Sequence, residues 1–276
     1  MNLQKARVFE HNLSTAMEWQ AYSSHRETVM RLLLEAAGNS VGMSLCLLGA
    51  GNCNDVDLVR LSDRYGEIHL VDLDESATRS AVARQLGRNR EARSSIVIHG
   101  AVDVAGVLDA LARPIDPVEL AAIATRASLH VGGAPFDVVA SLCVVTQIID
   151  SVVAALGTSD PAINGAVTAV RNRHLAILGE LAKPDGRIVF VTDFVSADTA
   201  PDILQPGADG LDLMKRHIAD RNFITGTNPV AIEQVCREEP AVPLDVESFV
   251  TPWIWDLGKR SYLAYALVLR PSPRTD

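Results

Sequence analysis

The stretch from 45 to 58, LCLLGAGNCNDVDL, restricts this chain more than any other. An apolar strand runs into Gly49, Ala50 and Gly51, and a helix is expected to start near Asn54 or Asp55. Two glycines at that spacing let the backbone turn sharply and approach a ligand, and the helix amino terminus beyond them offers unsatisfied N–H groups. An ordinary strand-to-helix turn with Asp55 as cap fits the same letters. The second strand weighs against that plainer reading. IHLVDLD, 68 to 74, ends its apolar run in Asp72, 21 residues after Gly51. An acidic side chain at that strand tip lies beside the glycine loop and can accept both hydroxyls of a ribose. Asp74 reads as a cap for the following helix.

The rest of the chain alternates short apolar runs with longer helical segments, the pattern of a parallel sheet. Further strands are expected at 94–100, 136–144 and 186–193, each too apolar for a sheet face open to water. Helices fit 55–65, 75–86, 117–127 and 162–182, and a helical cap fits 1–40. A Pro/Asp/Gly-rich stretch and two helices, at 211–222 and 229–238, form an insertion at about 196–240 that is expected to cover the substrate. SFVTPWIWDL and SYLAYALVLRP close the chain as an antiparallel hairpin on the sheet edge, turning near Gly258 and Lys259. The expected architecture is α/β and doubly wound, a mostly parallel seven-stranded sheet forming one domain over 41–276 behind the 1–40 cap.

Composition narrows the partners. At 276 residues with 48% hydrophobic content the chain can build a sizeable core, which excludes a disordered protein. A net charge of -9 offers no general attraction to nucleic acid or anionic membranes, so a small-molecule partner is expected, with self-association as a homodimer left open. The amino terminus lacks a signal-peptide core, and no apolar run reaches the ~18 residues of a membrane span, so a cytoplasmic location is expected. Cys46, Cys53, Cys143 and Cys236 are scattered without metal-ligand spacing, which points to no metal and no disulfide framework.

A ribose carboxylate fits nicotinamide cofactors and S-adenosylmethionine alike. A dinucleotide fingerprint places a third glycine where this chain has Asn54, and an antiparallel closing hairpin is foreign to an all-parallel dinucleotide fold. An NAD(P)-dependent oxidoreductase and a non-catalytic S-adenosylmethionine-binding protein also fit these segments.

On these segments the chain resembles the class I S-adenosylmethionine-dependent methyltransferases. LLGAGNCND is similar to their glycine-rich first motif, HLVDLD to the ribose-binding second, GAVDV to the adenine-side third, FDVVASLCV to the fourth strand and LAKPDGRIVFVTD to the fifth. SYLAYALVLRP is similar to the closing antiparallel strand. The resemblance implies a Rossmann-like methyltransferase fold, S-adenosylmethionine as cofactor with S-adenosylhomocysteine as product, and direct displacement at the sulfonium methyl. It implies that Gly49, Ala50 and Gly51 pass along the methionine part, Asp72 binds the ribose, and Val102 and Asp103 flank adenine, with Leu73 also among the cofactor-binding residues. Ser141 and Leu142 then lie near the sulfonium. Leu47 and Cys53 stand where the family often has an acidic residue and a further glycine, leaving Asn52 or Asp55 to hold the methionine ammonium.

Catalytic residues are harder to read, because displacement at an activated methyl needs alignment more than acid–base groups. Asp193, ending the fifth strand, and His217, in the insertion, are the candidates. Trp253 and Trp255, two apart on a strand, face one side of it, either core or substrate wall. Trp19 and Tyr22 near the amino terminus carry the same two readings.

Overall fold

A computed structural model of the chain describes residues 3–157 and 160–272. Two helices, α1 (Leu3–Thr15) and α2 (Ser23–Ala36), precede β1 (Met43–Leu48), α3 (Leu58–Ser62), β2 (Tyr65–Val71), α4 (Glu75–Leu86), α5 (Arg90–Ser94) and β3 (Ile96–His99). Then come α6 (Pro117–Arg126), β4 (Phe136–Leu142), α7 (Val144–Leu156), α8 (Ile163–Leu181), β5 (Ala182–Ser196), α9 (Gly210–Ala219), α10 (Pro229–Glu238), β6 (Leu244–Asp256) and β7 (Ser261–Pro271). The seven strands form one sheet in the order β3-β2-β1-β4-β5-β7-β6. β3, β2, β1, β4 and β5 pair in parallel, while β7 runs antiparallel to both β5 and β6.

Side chains alternate across this sheet into two cores, as strands covered on both faces require. Leu45, Leu47, Val138, Ala140, Val189 and Val191 point to one side, against Val29, Met30 and Leu33 of α2. Cys46, Leu48, Val139, Ile188 and Phe190 point to the other, against α7 and α8. α2 is thus a core helix of the sheet, and only α1 and the turn after it lie over the domain as a cap. All four cysteines are buried and free.

Side-chain caps set most helix starts, each satisfying amides that the first turn cannot. Asp74 accepts from Ala77 N–H to begin α4, and Asp116 and Asn228 precede Pro117 and Pro229 at the starts of α6 and α10.

Several expectations need correction. The helix placed at 55–65 shrinks to Leu58–Ser62, because its cap is Asp57, whose carboxylate accepts from Val59 and Arg60 N–H, and Tyr65 already opens β2. Ser94 belongs to α5, so the third strand is the shorter Ile96–His99. The fourth strand stops at Leu142: Cys143 turns the chain at φ 54, and Val144 starts a helix that sequence reading did not find. Its buried Val144, Val145, Ile148, Ile149 and Val152 merge with the strand into one apolar run, which hides the change of period. The KPDG segment lies inside β5 rather than between helix and strand. The helix expected to reach Asn222 ends at Ala219. In the closing hairpin β7 sits inside the sheet and only β6 forms the edge.

The insertion packs as a buttress. Ile203, Leu213, Met214 and Ile232 join the core that includes Phe194 and Tyr265. Ile224 N–H donates to Phe194 O at 2.8 Å, and the Tyr265 hydroxyl donates to Thr227 O at 2.7 Å. Asp57→Ala should lower stability by about 1 kcal/mol through loss of both capping bonds, read as a lower urea midpoint at unchanged slope.

Candidate functional site

Two adjoining cavities open above the carboxyl ends of β1, β2 and β4, sharing Val8, Gly49, Asp72 and Gln147 in their walls. One is apolar, walled by Leu73, Val102, Val104, Ala105, Leu108 and Ile148, with Asp103 at its side. The other is polar, walled by His11, Asn12, Thr15, Asn52, Asn54 and Asp55 and closed by Tyr22, Leu142, Cys143 and Trp255. Among the described residues no Lys or Arg lines either cavity.

Asp72 stands where they meet. Its Oδ2 accepts from Gly51 N–H at 2.8 Å and its Oδ1 from Asp74 N–H at 2.7 Å, so one side chain ties the glycine loop to the tip of β2. Burial raises its pKa above the ordinary carboxylate value, and those two donors oppose the rise. Each oxygen keeps a lone pair for a ligand donor. Gly49 has φ +75, and a Cβ there would lie 2.2 Å from Val144 Cγ2, so only glycine fits between β1 and α7. Gly51 has φ +43 and packs against Asn12 of α1. Cys53 takes φ 49, a left-handed turn made without a glycine.

The polar side chains after the loop hold α1. Asn52 Nδ2 donates to Asn12 O and Thr15 Oγ1, and Asn54 Nδ2 donates to Thr15 O at 2.8 Å. Arg84 of α4 reaches Ala16 O at 3.0 Å and Asn52 O at 2.8 Å. Towards its other end α1 is anchored by Lys5 to Asp109 at 2.6 Å and Arg7 to Asp150 at 2.7 Å. α1 therefore crosses both cavities and supplies Val8, His11, Asn12 and Thr15, none of which sequence reading singled out. A helical cap was legible there, but no spacing rule marks which of its residues face inward.

The structure brings Gly49, Ala50, Gly51, Asn52, Asp55, Asp72, Leu73, Val102, Asp103 and Leu142 to the two cavities. The Asp103 carboxylate accepts from Ala105 N–H at 3.0 Å and Leu108 N–H at 2.7 Å, shaping the loop that walls the apolar end. Ser141 is not brought there: the strand alternation turns it to the opposite face, where its hydroxyl pairs with buried His174 Nε2 at 2.8 Å. His217 lies in the insertion, outside both walls, with Nε2 3.1 Å from Asp202 Oδ1. The expected cover at 196–240 contributes no wall residue; α1 takes that place.

Asp193 sits behind the wall beside Cys143, with Oδ2 accepting from the Thr146 hydroxyl at 3.1 Å and Oδ1 without a partner. Burial raises its pKa above the ordinary value. Near it an aromatic corner forms from elements far apart in the chain. His25 of α2, fully buried, stacks on Trp255 of β6 with centroids 4.3 Å apart, and Tyr22 meets Trp255 edge-on at 5.2 Å. The Trp253 indole N–H donates to His25 Nδ1 at 3.2 Å, and His25 Nε2 lies 3.2 Å from Asp55 Oδ1. Trp255 thus walls the polar cavity and Trp253 supports it from behind. His25 went unnoticed because nothing local distinguishes it from a solvated helix residue.

No family model and no curated protein sequence matches the chain. Solved structures do. YcgJ protein from Bacillus subtilis superposes at TM-score 0.50 with 11% identity, covering 90% of this chain and 99% of that one. The trans-methyltransferase CalH in complex with SAH gives 0.43 at 13%, covering 87% of this chain and 55% of its own, so the chain spans about half the length of that relative. A Burkholderia thailandensis 1,6-didemethyltoxoflavin-N1-methyltransferase, with bound 1,6-didemethyltoxoflavin and S-adenosylhomocysteine, gives 0.40 at 15%, covering 95% and 90%. At such identities the likeness is one of fold. The strand order with an antiparallel β7 is the Rossmann-like methyltransferase fold, as the sequence resemblance implied.

A carboxylate whose folded pKa lies above its unfolded one loses stability as pH rises from the ordinary carboxylate range through the folded value. Asp193→Asn removes that ionisation while keeping an acceptor for Thr146. The variant should be more stable than the parent at pH 8, with the gain shrinking as pH falls towards the ordinary carboxylate range, read from urea titrations at several pH values.

Proposed function

We propose that the protein is an S-adenosylmethionine-dependent methyltransferase acting on a small molecule. The observation that carries this reading is the pair of cavities, apolar at one end and polar at the other, joined over Asp72 and Gly49. S-adenosylmethionine has the same order of chemistry: a flat adenine, a ribose diol and a charged amino-acid end. Leu73, Val102 and Asp103 would border adenine, Asp72 would accept from the ribose hydroxyls, and Gly49, Ala50 and Gly51 would pass the methionine part with backbone alone. Leu142, at the tip of β4, would stand near the sulfonium. When bound, the cofactor supplies a methyl already activated by positive sulfur. The chain's own work is then to align an acceptor with it and exclude water, and α1 across the mouth serves the second task.

The nicotinamide alternative is disfavoured by the same geometry. Asn54, in place of a glycine, spends its side chain on Thr15 O, and α1 lies over the loop where a pyrophosphate would approach the helix amino terminus. Walls without Lys or Arg, on a chain of net charge -9, also speak for a small-molecule acceptor over nucleic acid. Among the described residues no helix is long and apolar enough to cross a membrane.

Calorimetric titration with S-adenosylmethionine, S-adenosylhomocysteine and NAD tests the reading. Binding of the first two without NAD is expected; NAD binding alone would overturn it. Asp72→Ala should weaken S-adenosylmethionine binding by about 1–3 kcal/mol, the loss of a buried pair of charge-assisted hydrogen bonds. Unchanged affinity in the folded variant would remove Asp72 from the site.

A further inference from the structure

The core behind the apolar cavity contains a polar relay. Ser141 of β4 and His174 of α8 are 0% and 1% exposed, and neither lines either cavity. Around His174 on α8 the buried side chains Val170, Leu175, Ala176, Ile177 and Leu178 are apolar. The Ser141 hydroxyl lies 2.8 Å from His174 Nε2. The ring also meets the backbone of Val104, in a contact that favours its protonated form and is therefore made with the carbonyl. Nε2 being taken by Ser141, that contact falls to Nδ1, and it stops short of an aligned hydrogen bond.

The position of the ring's proton follows. Burial pushes the His174 pKa down to about 4, so at neutral pH the ring carries a single N–H. A lone pair turned on the Val104 carbonyl would be repelled, so the proton sits on Nδ1, and Nε2 accepts from the Ser141 hydroxyl. A buried N–H is costly to leave unpaired, and Val104 O is the acceptor it faces. Val104 belongs to the segment 102–108, which gives the apolar cavity Val102, Asp103, Val104, Ala105 and Leu108. That segment is tied to β2 at its start, where Val102 N–H donates to Asp72 O at 3.1 Å. It is pinned from within by the Asp103 carboxylate, which accepts from Ala105 and Leu108 N–H. His174 ties its middle to α8.

We infer that His174 is a positioning residue for the apolar end of the site: held by Ser141 and turned on the Val104 carbonyl, it sets where the 102–108 segment stands and so the width of the cavity that segment walls. The inference rests on the methyltransferase reading for calling adenine the ligand of that cavity, and on the ring alone for the segment. A flat base gains from a slot of its own thickness, where both faces make contact and water is excluded. A segment free to drift outward loses one of those faces.

Two amide substitutions separate the halves of the relay. Gln places its amide nitrogen where Nε2 stands, and Asn places its own where Nδ1 stands. His174→Gln therefore keeps a partner for Ser141 and loses the donor to Val104, whereas His174→Asn does the reverse. Calorimetric titration of the full chain with S-adenosylhomocysteine should show the Gln variant about tenfold weaker and the Asn variant within about threefold of the parent. Amide hydrogen exchange without added ligand should run about tenfold faster at Ala105 and Leu108 in the Gln variant, and within about threefold of the parent in the Asn variant. Equal losses in both variants, following a common fall in urea midpoint, overturn the inference, because a merely structural ring is needed as a whole. Unchanged affinity and exchange in His174→Gln overturn it too. Should either variant fail to fold, long-range 1H–15N spectra of the unmodified protein decide: the ring proton is expected on Nδ1, and a proton on Nε2 overturns the inference. Failure of S-adenosylhomocysteine to bind the unmodified protein overturns the methyltransferase reading alone, and exchange in the 102–108 segment still decides the role of His174.

Discussion

The site depends on one carboxylate. Asp72 takes Gly51 N–H on one oxygen and Asp74 N–H on the other, which locks the turn after β1 to the turn after β2. Both turns stand at the carboxyl edge of a parallel sheet, where open α/β folds hold their ligands. Placing an acidic group there, only 8% exposed, is unfavourable by itself, and burial pushes its pKa upward. Two backbone donors offset part of that cost and hold the oxygens where a diol can reach them.

The departures from a glycine-rich loop acquire a reason once α1 is in place. Cys53 adopts the left-handed turn without glycine, and Asn52 and Asn54 use their amides to bind the carbonyls and the hydroxyl of α1. A loop of glycines would make none of those bonds. Polar residues after Gly51 therefore close the cavity instead of weakening the motif. The insertion behind β5, free of that task, stiffens the edge of the sheet near Phe194 and Tyr265.

Stability and binding pull apart in the aromatic corner. Asp193 Oδ1 and the Trp255 indole N–H are each buried without a hydrogen-bond partner. A sequence selected for stability alone would fill such a place with apolar groups.

How much was legible follows the range of each interaction along the chain. The parallel strands, the glycine turn and Asp72 were readable because their signals are local: an apolar run, a spacing, a residue at a strand tip. Asp57 was passed over for Asp55 because two acids two residues apart both suit a cap, and only tertiary contact with His25 claims one of them. Ser141 misled for a related reason, since the period of two along β4 places neighbours on opposite faces and its phase is set by packing. The helix after Cys143 was lost in a continuous apolar run. The sequence by itself determined the doubly wound sheet and its glycine-and-aspartate ligand edge, because backbone geometry ties those to short-range pattern. Only the tertiary structure decided that α1 would close the cavity and that Trp253 would meet His25 from 228 residues away, because such contacts depend on how whole elements pack and leave no spacing to read.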